Sequence, residues 1–445
     1  MPLQPVKIVD ARVFSTIEGT VEVDLVSRIG QALDTHPDVR VWNLSIGSVD
    51  SVTGPEFSEF TRYLDMYSHN KNVLFVISSG NDLAPTPLRP WPPGHFSNSG
   101  RDLICSPADS PRGLTVGSIA HVSAAAGVQG VKRNEPTPYS RRGPAPAALP
   151  KPEVVHHGGS TDLGGNTHGG ILSLSPQGFL SESHGTSYAA PLVASLSAQV
   201  WSELVLANRK PSPSLVKAIM VHSAALHAPP RSAAELHYFG FGMPQGIHET
   251  LMCTDDMFTT FHTVYIPRGQ EIHHAYPIPA CLLKNGKFCG EIIITLCYDP
   301  LLNSAAGAEY CRSNVSVSMG PKLMGKDGKI HFKGSVPPDP KNHSDAYEST
   351  LIEHGFKWSP LKVYRRRFLG VAGTDWELRF DVLYRAGQEV PPLPHEAHAI
   401  VTMRALEEGQ PVYRDGVRAL QRLNHRTQPL VTQAQIQVRP QGRVP

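Results

Sequence analysis

Apolar and polar positions alternate in two different ways along this chain. In its first 120 residues, short β-branched runs are separated by stretches with helical spacing. Val6-Lys-Ile-Val-Asp-Ala-Arg-Val13 reads as a strand, and Val23 to Leu33 places Val26, Ile29 and Leu33 on one helical face. An apolar run over Val39 to Ile46, a helical stretch from Glu56 to Tyr67 and further strands over Val73 to Ile77 and Leu114 to Ile119 follow. This order of strand, helix, strand, helix, strand predicts an α/β unit with a parallel sheet and helices on both faces. From Gly127 to Gly170 the chain is rich in Pro, Gly and His, which predicts surface loop. Helices are expected over Thr186 to Val205 and from Ser212 to Ala225, the second opened by an N-cap serine and Pro213 at the first helical position. The pattern changes near residues 248–262. Tyr265 to Pro267, Glu291 to Tyr298, Asn314 to Met319, Trp376 to Tyr384 and Ala399 to Ala405 read as strands between turn-rich segments. Two units are therefore expected: an α/β unit over 1–250 and an all-β, sandwich-like unit over 255–445.

Composition narrows the function classes. With 445 residues, 40% hydrophobic and 18% charged, and a net charge of +2, the chain is too apolar for a disordered tail and too balanced for a nucleic-acid binder. The 38 glycines and 40 prolines show no repeat, so they imply turns and not a fibre. No apolar run is read as approaching the ~18 residues of a membrane span, and Met1 to Asp10 lacks a secretory pattern. The expectation is a cytoplasmic protein with no membrane partner. Six cysteines are widely spaced without a CxxC pair, which argues for free thiols over a zinc or redox site. His395-Glu-Ala-His398 is one residue short of the spacing that puts two imidazoles on one helix face, so no metal is assigned. The run Lys362 to Arg367 reads as the solvated face of a strand.

The chemistry concentrates in Ser183-His184-Gly185-Thr186-Ser187-Tyr188-Ala189-Ala190-Pro191. A serine hydroxyl becomes a useful nucleophile when exposed, close to a base, and held in positive potential. The start of a helix supplies orphan amides and the positive dipole end. Ser187 stands at such a start; Gly185 allows close backbone approach; and Pro191 is read as a first-turn residue whose missing N–H costs nothing. The small residues Ala189, Ala190, Ala194, Ser195 and Ala198 let the helix pack deeply.

The pattern GTSxAxP resembles the serine motif of the subtilisin-like proteases, the subtilases (peptidase S8), and matches at Gly185, Thr186, Ser187, Ala189 and Pro191. Other segments agree in the same order. Val41-Trp-Asn-Leu-Ser-Ile-Gly47 is similar to the family's substrate-binding strand, and Val73-Leu-Phe-Val-Ile-Ser-Ser-Gly-Asn81 to the strand ending in its oxyanion asparagine. Ile104-Cys-Ser-Pro-Ala108, Leu114-Thr-Val-Gly117, Tyr139-Ser-Arg-Arg-Gly-Pro144 and Lys151-Pro-Glu-Val-Val155 continue the resemblance. It implies Ser187 as nucleophile and Asn81 as oxyanion donor, with Ser45, Ile46, Gly47, Ser78, Ser79, Gly80, Gly185 and Thr186 against the substrate. A peptide or protein would be the substrate, and no cofactor is required. Calcium is common in the family, but no loop here is assigned to it.

Two family elements are missing. A triad needs a general base and a carboxylate that orients it, and neither the Asp-Ser/Thr-Gly nor the His-Gly-Thr motif occurs. Asp10 precedes Ala11, and His36 sits in Thr-His-Pro-Asp. His184, three residues before Ser187, is read as poorly placed for a base, and His156, His157 and His168 as surface residues. The expectation is the C-terminal portion of a subtilase catalytic domain, with Asp and His supplied by a preceding segment or a partner chain. The rival reading is a noncatalytic homologue that binds peptides or proteins in the same cleft.

Overall fold

β-Branched runs form the strands and helically spaced stretches form the helices. The structure, a computed structural model, describes residues 8–11, 22–48, 50–84, 86–175, 177–251, 253–337, 348–353 and 355–423. Helix α1 (Glu22–Thr35) buries Leu25, Val26, Ile29 and Leu33 and packs on α2 (Glu59–Lys71). Ser58 caps α2 by accepting from the Thr61 N–H at 3.1 Å, and Asn72 ends it in the left-handed region. Strands β1 (Val41–Leu44), β2 (Leu74–Ser78), β3 (Leu114–Ile119) and β4 (Val154–His157) form a parallel sheet in the order β1-β2-β3-β4. All positions of β2 and β3 are buried, as expected for a parallel sheet covered on both faces. Among the described residues nothing pairs with the outer edge of β1.

The strand read over Val6 to Val13 lies largely outside the described residues, and its described part, 8–11, is irregular. The segment read as loop from Gly127 to Gly170 contains β4, whose Val154 and Val155 enter the core; its flanking Pro and Gly residues masked a four-residue strand. The chain also has a helix long and apolar enough to cross a membrane, namely α3 (Thr186–Leu206). That helix lies on the parallel sheet and buries Ala189, Ala190, Val193, Val200, Trp201 and Leu204. It is preceded by an antiparallel hairpin, β5 (Ile171–Leu174) and β6 (Leu180–Ser183).

Helix α4 (Pro213–His227) connects the parallel-sheet unit to a pair of antiparallel sheets. The strands are β7 (Met257–Ile266), β8 (Ile272–Tyr276), β9 (Leu283–Lys284), β10 (Lys287–Tyr298), β11 (Ser313–Met324), β12 (Ile330–Phe332), β13 (Leu361–Ala372), β14 (Trp376–Tyr384) and β15 (His395–Arg404). One sheet runs β13-β10-β15-β7 with β9 beside β10, and the other β12-β11-β14-β8. Between them lies a core that includes Phe258, Ile292, Ile294, Leu296, Val317, Met319, Phe380 and Val401. The outer face of the first sheet is covered too: Cys297, Leu361 and Ile400 share a core with α3 and α4. Burial on both faces explains why β10 reads as an almost continuous apolar run.

Polar groups lock this contact. His222 of α4 is buried between the Thr295 and Thr402 hydroxyls, at 2.9 and 2.8 Å. His398 bridges Ser212 and Thr263 at 2.9 and 3.0 Å, which accounts for the second histidine of the His395 to His398 motif without a metal. Tyr310 donates to the buried Asp65 carboxylate at 3.1 Å, and Arg112 reaches the Pro300 carbonyl at 2.8 Å. Lys362, expected on a solvated face, is instead buried, donating to Asn314 Oδ1 at 2.8 Å and to the Val315 carbonyl. The start of β13 is covered on both faces, Leu361 and Val363 on one and Tyr364 and Phe368 on the other, so the lysine stem packs in the core and its terminal nitrogen finds polar partners there.

Burial keeps four histidines neutral, holding His222 down at about 3 and His156, His237 and His398 at about 4. In the unfolded chain each titrates near ~6.5. Their contribution is intact above that pH and is lost on acidification, because the unfolded chain gains protons the folded chain refuses, at ~1.4 kcal/mol per pH unit for each histidine. Asp109, raised to about 6 by burial, offsets part of this loss as the pH falls below its own value. The urea midpoint is therefore expected to fall steeply between about pH 6 and 4. His222→Leu should flatten that fall by about one proton; a midpoint indifferent to pH in this window would contradict the assignment.

Candidate active site

Loops at the carboxyl ends of parallel strands gather where the sheet leaves space for a ligand. Here β1 leads into Ser45-Ile46-Gly47, β2 ends at Ser78 and leads into Ser79-Gly80-Asn81, and α3 begins at Thr186 beside both. Gly185, the N-cap residue of α3, has φ +151° and ψ 155°, a conformation that side-chain-bearing residues rarely adopt. Its N–H donates to the Gly158 carbonyl at 2.9 Å and to Tyr139 Oη at 3.0 Å. Tyr139 is fully buried, its hydroxyl pushed up to about 12 by burial, and it donates in turn toward the Gly158 and Gly159 carbonyls at 2.8 and 3.0 Å.

The side chain of Asn81 is held by its oxygen. Asn81 Oδ1 accepts from the Thr186 N–H at 2.9 Å and from the Thr186 hydroxyl at 3.0 Å, and that hydroxyl also accepts from the Gly80 N–H at 3.2 Å. With Oδ1 occupied by two donors, the Asn81 amide presents its NH₂ beside Gly185, where a Cβ would lie 3.2 Å from Nδ2. Asn81 Nδ2, which has no hydrogen bond among the described residues, and the Ser187 backbone N, 3.7 Å from the same Cβ position, therefore lie together at the start of this 21-residue helix.

Pro191 lies inside α3 and not in its first turn, a correction to the sequence reading. Counting back four residues, its missing N–H would have bonded the Ser187 carbonyl. That freed carbonyl instead accepts from Ser45 Oγ at 3.4 Å, tying the end of β1 to the helix start. Ser45 thus holds the two elements together through its hydroxyl. Ser78 and Ser79 are buried, at 5% and 0% exposure, so they have backbone and not side chains to offer a ligand. Gly47 is exposed and Ile46, Gly80, Asn81 and Ser187 are half-buried, while Gly185 and Thr186 are buried.

Among the described residues, no hydrogen bond reaches the Ser187 hydroxyl. His184 Nδ1 is paired with the Thr167 hydroxyl at 2.9 Å and its ring packs on Tyr139, centroids 5.0 Å apart. His157 meets Asn134 at 3.0 Å, and His168 accepts from the Ala125 N–H at 2.8 Å. His156 lies in β4, half-buried and held neutral by desolvation, which corrects its reading as a solvated surface residue. No group of three or more His, Cys, Asp and Glu side chains among the described residues is placed to hold a metal ion. Sequence reasoning missed Tyr139 as the brace of the serine loop, because the stretch that carries it looks aperiodic; an aromatic ring within Pro- and Gly-rich sequence was the available signal.

The sequence profile of the subtilase family matches residues 4–242. An uncharacterized protein y4bN of Sinorhizobium fredii is 26% identical over 297 residues, spanning 59% of this chain and 67% of its own. The self-cleaved protease domain of PatA superposes with a TM-score of 0.37 at 20% identity, over 54% of this chain and 70% of that one. A lanthipeptide protease gives a TM-score of 0.37 at 22% identity, over 54% and 68%.

Thr186→Val removes the hydroxyl that joins Asn81 to Gly80 and leaves the Gly80 N–H without its partner. It is expected to lower stability by about 1–3 kcal/mol. Urea unfolding of the two chains checks this; an unchanged midpoint would show that the hydroxyl is not part of the lock.

Proposed function

From the premise that the chain belongs to the subtilase family, we propose that it is a serine endopeptidase of the subtilisin type, cleaving peptide bonds through an acyl-enzyme on Ser187. The observation that carries this reading is the held amide: Asn81 Oδ1 is occupied by Thr186, which leaves its NH₂ to donate at the helix start that bears Ser187.

In the reaction, Ser187 Oγ attacks the scissile carbonyl carbon as its proton passes to a general base. The carbonyl oxygen becomes an oxyanion, stabilised by Asn81 Nδ2 and the Ser187 backbone N–H. Collapse of this intermediate breaks the C–N bond, the amine departs with the proton returned by the base, and water then hydrolyses the ester. The helix dipole favours the oxyanion without any reorganisation, because its amides are already fixed. The base and its carboxylate are assigned to a segment outside the described residues or to a partner chain. The substrate is a peptide or protein lying along the ends of β1 and β2, with Ser45-Ile46-Gly47 and Ser78-Ser79-Gly80 on either side of the residue before the scissile bond.

A second reading is favoured by one observation: among the described residues the Ser187 hydroxyl has no basic partner. On this reading the chain is a noncatalytic homologue that holds peptides or proteins in the same cleft.

A fluorophosphonate probe separates the two. The protease reading expects labelling of Ser187 that is abolished in Ser187→Ala, and slowed on the order of 10²–10³-fold in Asn81→Ala if the effect matches a known oxyanion donor, a magnitude established on a subtilisin itself. A folded chain that binds peptide but, even with the base-bearing segment or partner present, never takes the probe would overturn the protease reading and support the second.

A further inference from the structure

The two backbone segments proposed to flank the substrate are separated by a single side chain. A Cβ on Gly47 would lie 2.7 Å from Cys105 Sγ, and a Cβ on Gly80 would lie 2.5 Å from the same atom. One sulfur therefore occupies the space that both glycines face, and the gap between the segments at that depth is one sulfur wide. Cys105 is held there. It is 2% exposed, its thiol donates to the Ser79 carbonyl at 3.7 Å, and its backbone bridges to Ser51. The stem of Arg141 closes the remaining side, its Cδ 2.8 Å from the same Cβ position on Gly80. The Arg141 guanidinium donates through Nη1 to the Leu103 carbonyl at 2.9 Å and the Ser51 hydroxyl at 2.7 Å, and through Nε, 3.5 Å from that Cβ position, to the Asn81 carbonyl at 3.3 Å. The floor is thus short and lined by a thiol, the Arg141 methylenes and an Nε–H already given to the backbone.

We propose that Cys105 is a specificity-determining residue, which closes the pocket between Gly47 and Gly80 and restricts the substrate residue before the scissile bond to glycine or alanine. This rests on the reading of these two segments as the walls of the substrate cleft. A larger side chain would have to displace a buried sulfur from a packed position, and overpacking of this kind is costly where neighbours are backbone and cannot yield. Cysteine to glycine at this position would remove the floor and open the space to a leucine- or phenylalanine-sized group.

The test uses binding and not turnover, on the full chain carrying Ser187→Ala, with fluorescein-labelled hexapeptides that differ only in having Ala or Phe before the scissile bond. Anisotropy titrations are expected to favour the Ala peptide by roughly tenfold or more, in line with the discrimination a closed apolar pocket achieves. Adding Cys105→Gly should erase or invert that ratio, while Cys105→Ser, of similar size, should keep it. A Phe peptide bound as tightly as the Ala peptide, a ratio unchanged in Cys105→Gly, or no binding of either peptide would each overturn the proposal. Fluorophosphonate labelling of the chain with Ser187 intact reports on the protease reading separately, so failure of the pocket and failure of the chemistry are distinguishable. Thermal melts show whether Cys105→Gly folds; should it unfold, Cys105→Ala serves, with an expected partial loss of the preference, and an unchanged preference there contradicts the proposal.

Discussion

The site depends on how the start of α3 is fastened to the ends of β1 and β2. Helix amides that lack intrahelical partners need acceptors, and here Asn81 Oδ1 serves the Thr186 N–H while the Thr186 hydroxyl serves the Gly80 N–H. A second tie runs the other way: Pro191 leaves the Ser187 carbonyl free, and Ser45 donates to it. These contacts join residues more than a hundred positions apart in sequence, and together they fix Ser187, the Asn81 NH₂ and the two cleft segments in one geometry. Gly185 makes this possible, since its positive φ brings the backbone under Tyr139 and close to Asn81.

The same helix depends on what lies behind it. α3 packs on the parallel sheet and against α4, and α4 is covered on its far side by the sheet containing β10, β13 and β15. The antiparallel unit is therefore part of the support for the serine helix and not an appended module: Cys297, Leu361 and Ile400 complete the core that begins with Leu74, Val116 and Val193. His222, His398, Asp65 and Tyr310 place polar partners across that contact. Buried groups of this kind are costly unless each is satisfied, so they fix one docking geometry where apolar packing alone would tolerate several.

Much of this arrangement was legible in the sequence. The 3.6-residue spacing of Val26, Ile29 and Leu33 and the β-branched runs before Ser45 and Asn81 mark elements whose burial is on one face or on both. The serine motif and the asparagine strand were readable because their chemistry needs particular residues in a particular order. What was not legible depends on long-range contacts. The burial of Lys362, the insertion of Cys105 between two glycines, and the bracing by Tyr139 are properties of three-dimensional neighbours, with no local period to announce them. Pro191 was recognised but misplaced, because helix boundaries are the least certain part of a pattern and its function follows from lying one turn further in.

On the proposed reading, Asn81 and the Ser187 amide form one oxyanion site at the start of α3. A crystal structure of the chain with a peptide aldehyde is the decisive measurement. The expected result is an adduct on Ser187 whose oxygen lies within hydrogen-bond distance of both Asn81 Nδ2 and the Ser187 backbone N–H, with the peptide running between Gly47 and Gly80. An aldehyde oxygen pointing away from Asn81, or a peptide bound elsewhere with the cleft empty, would contradict it.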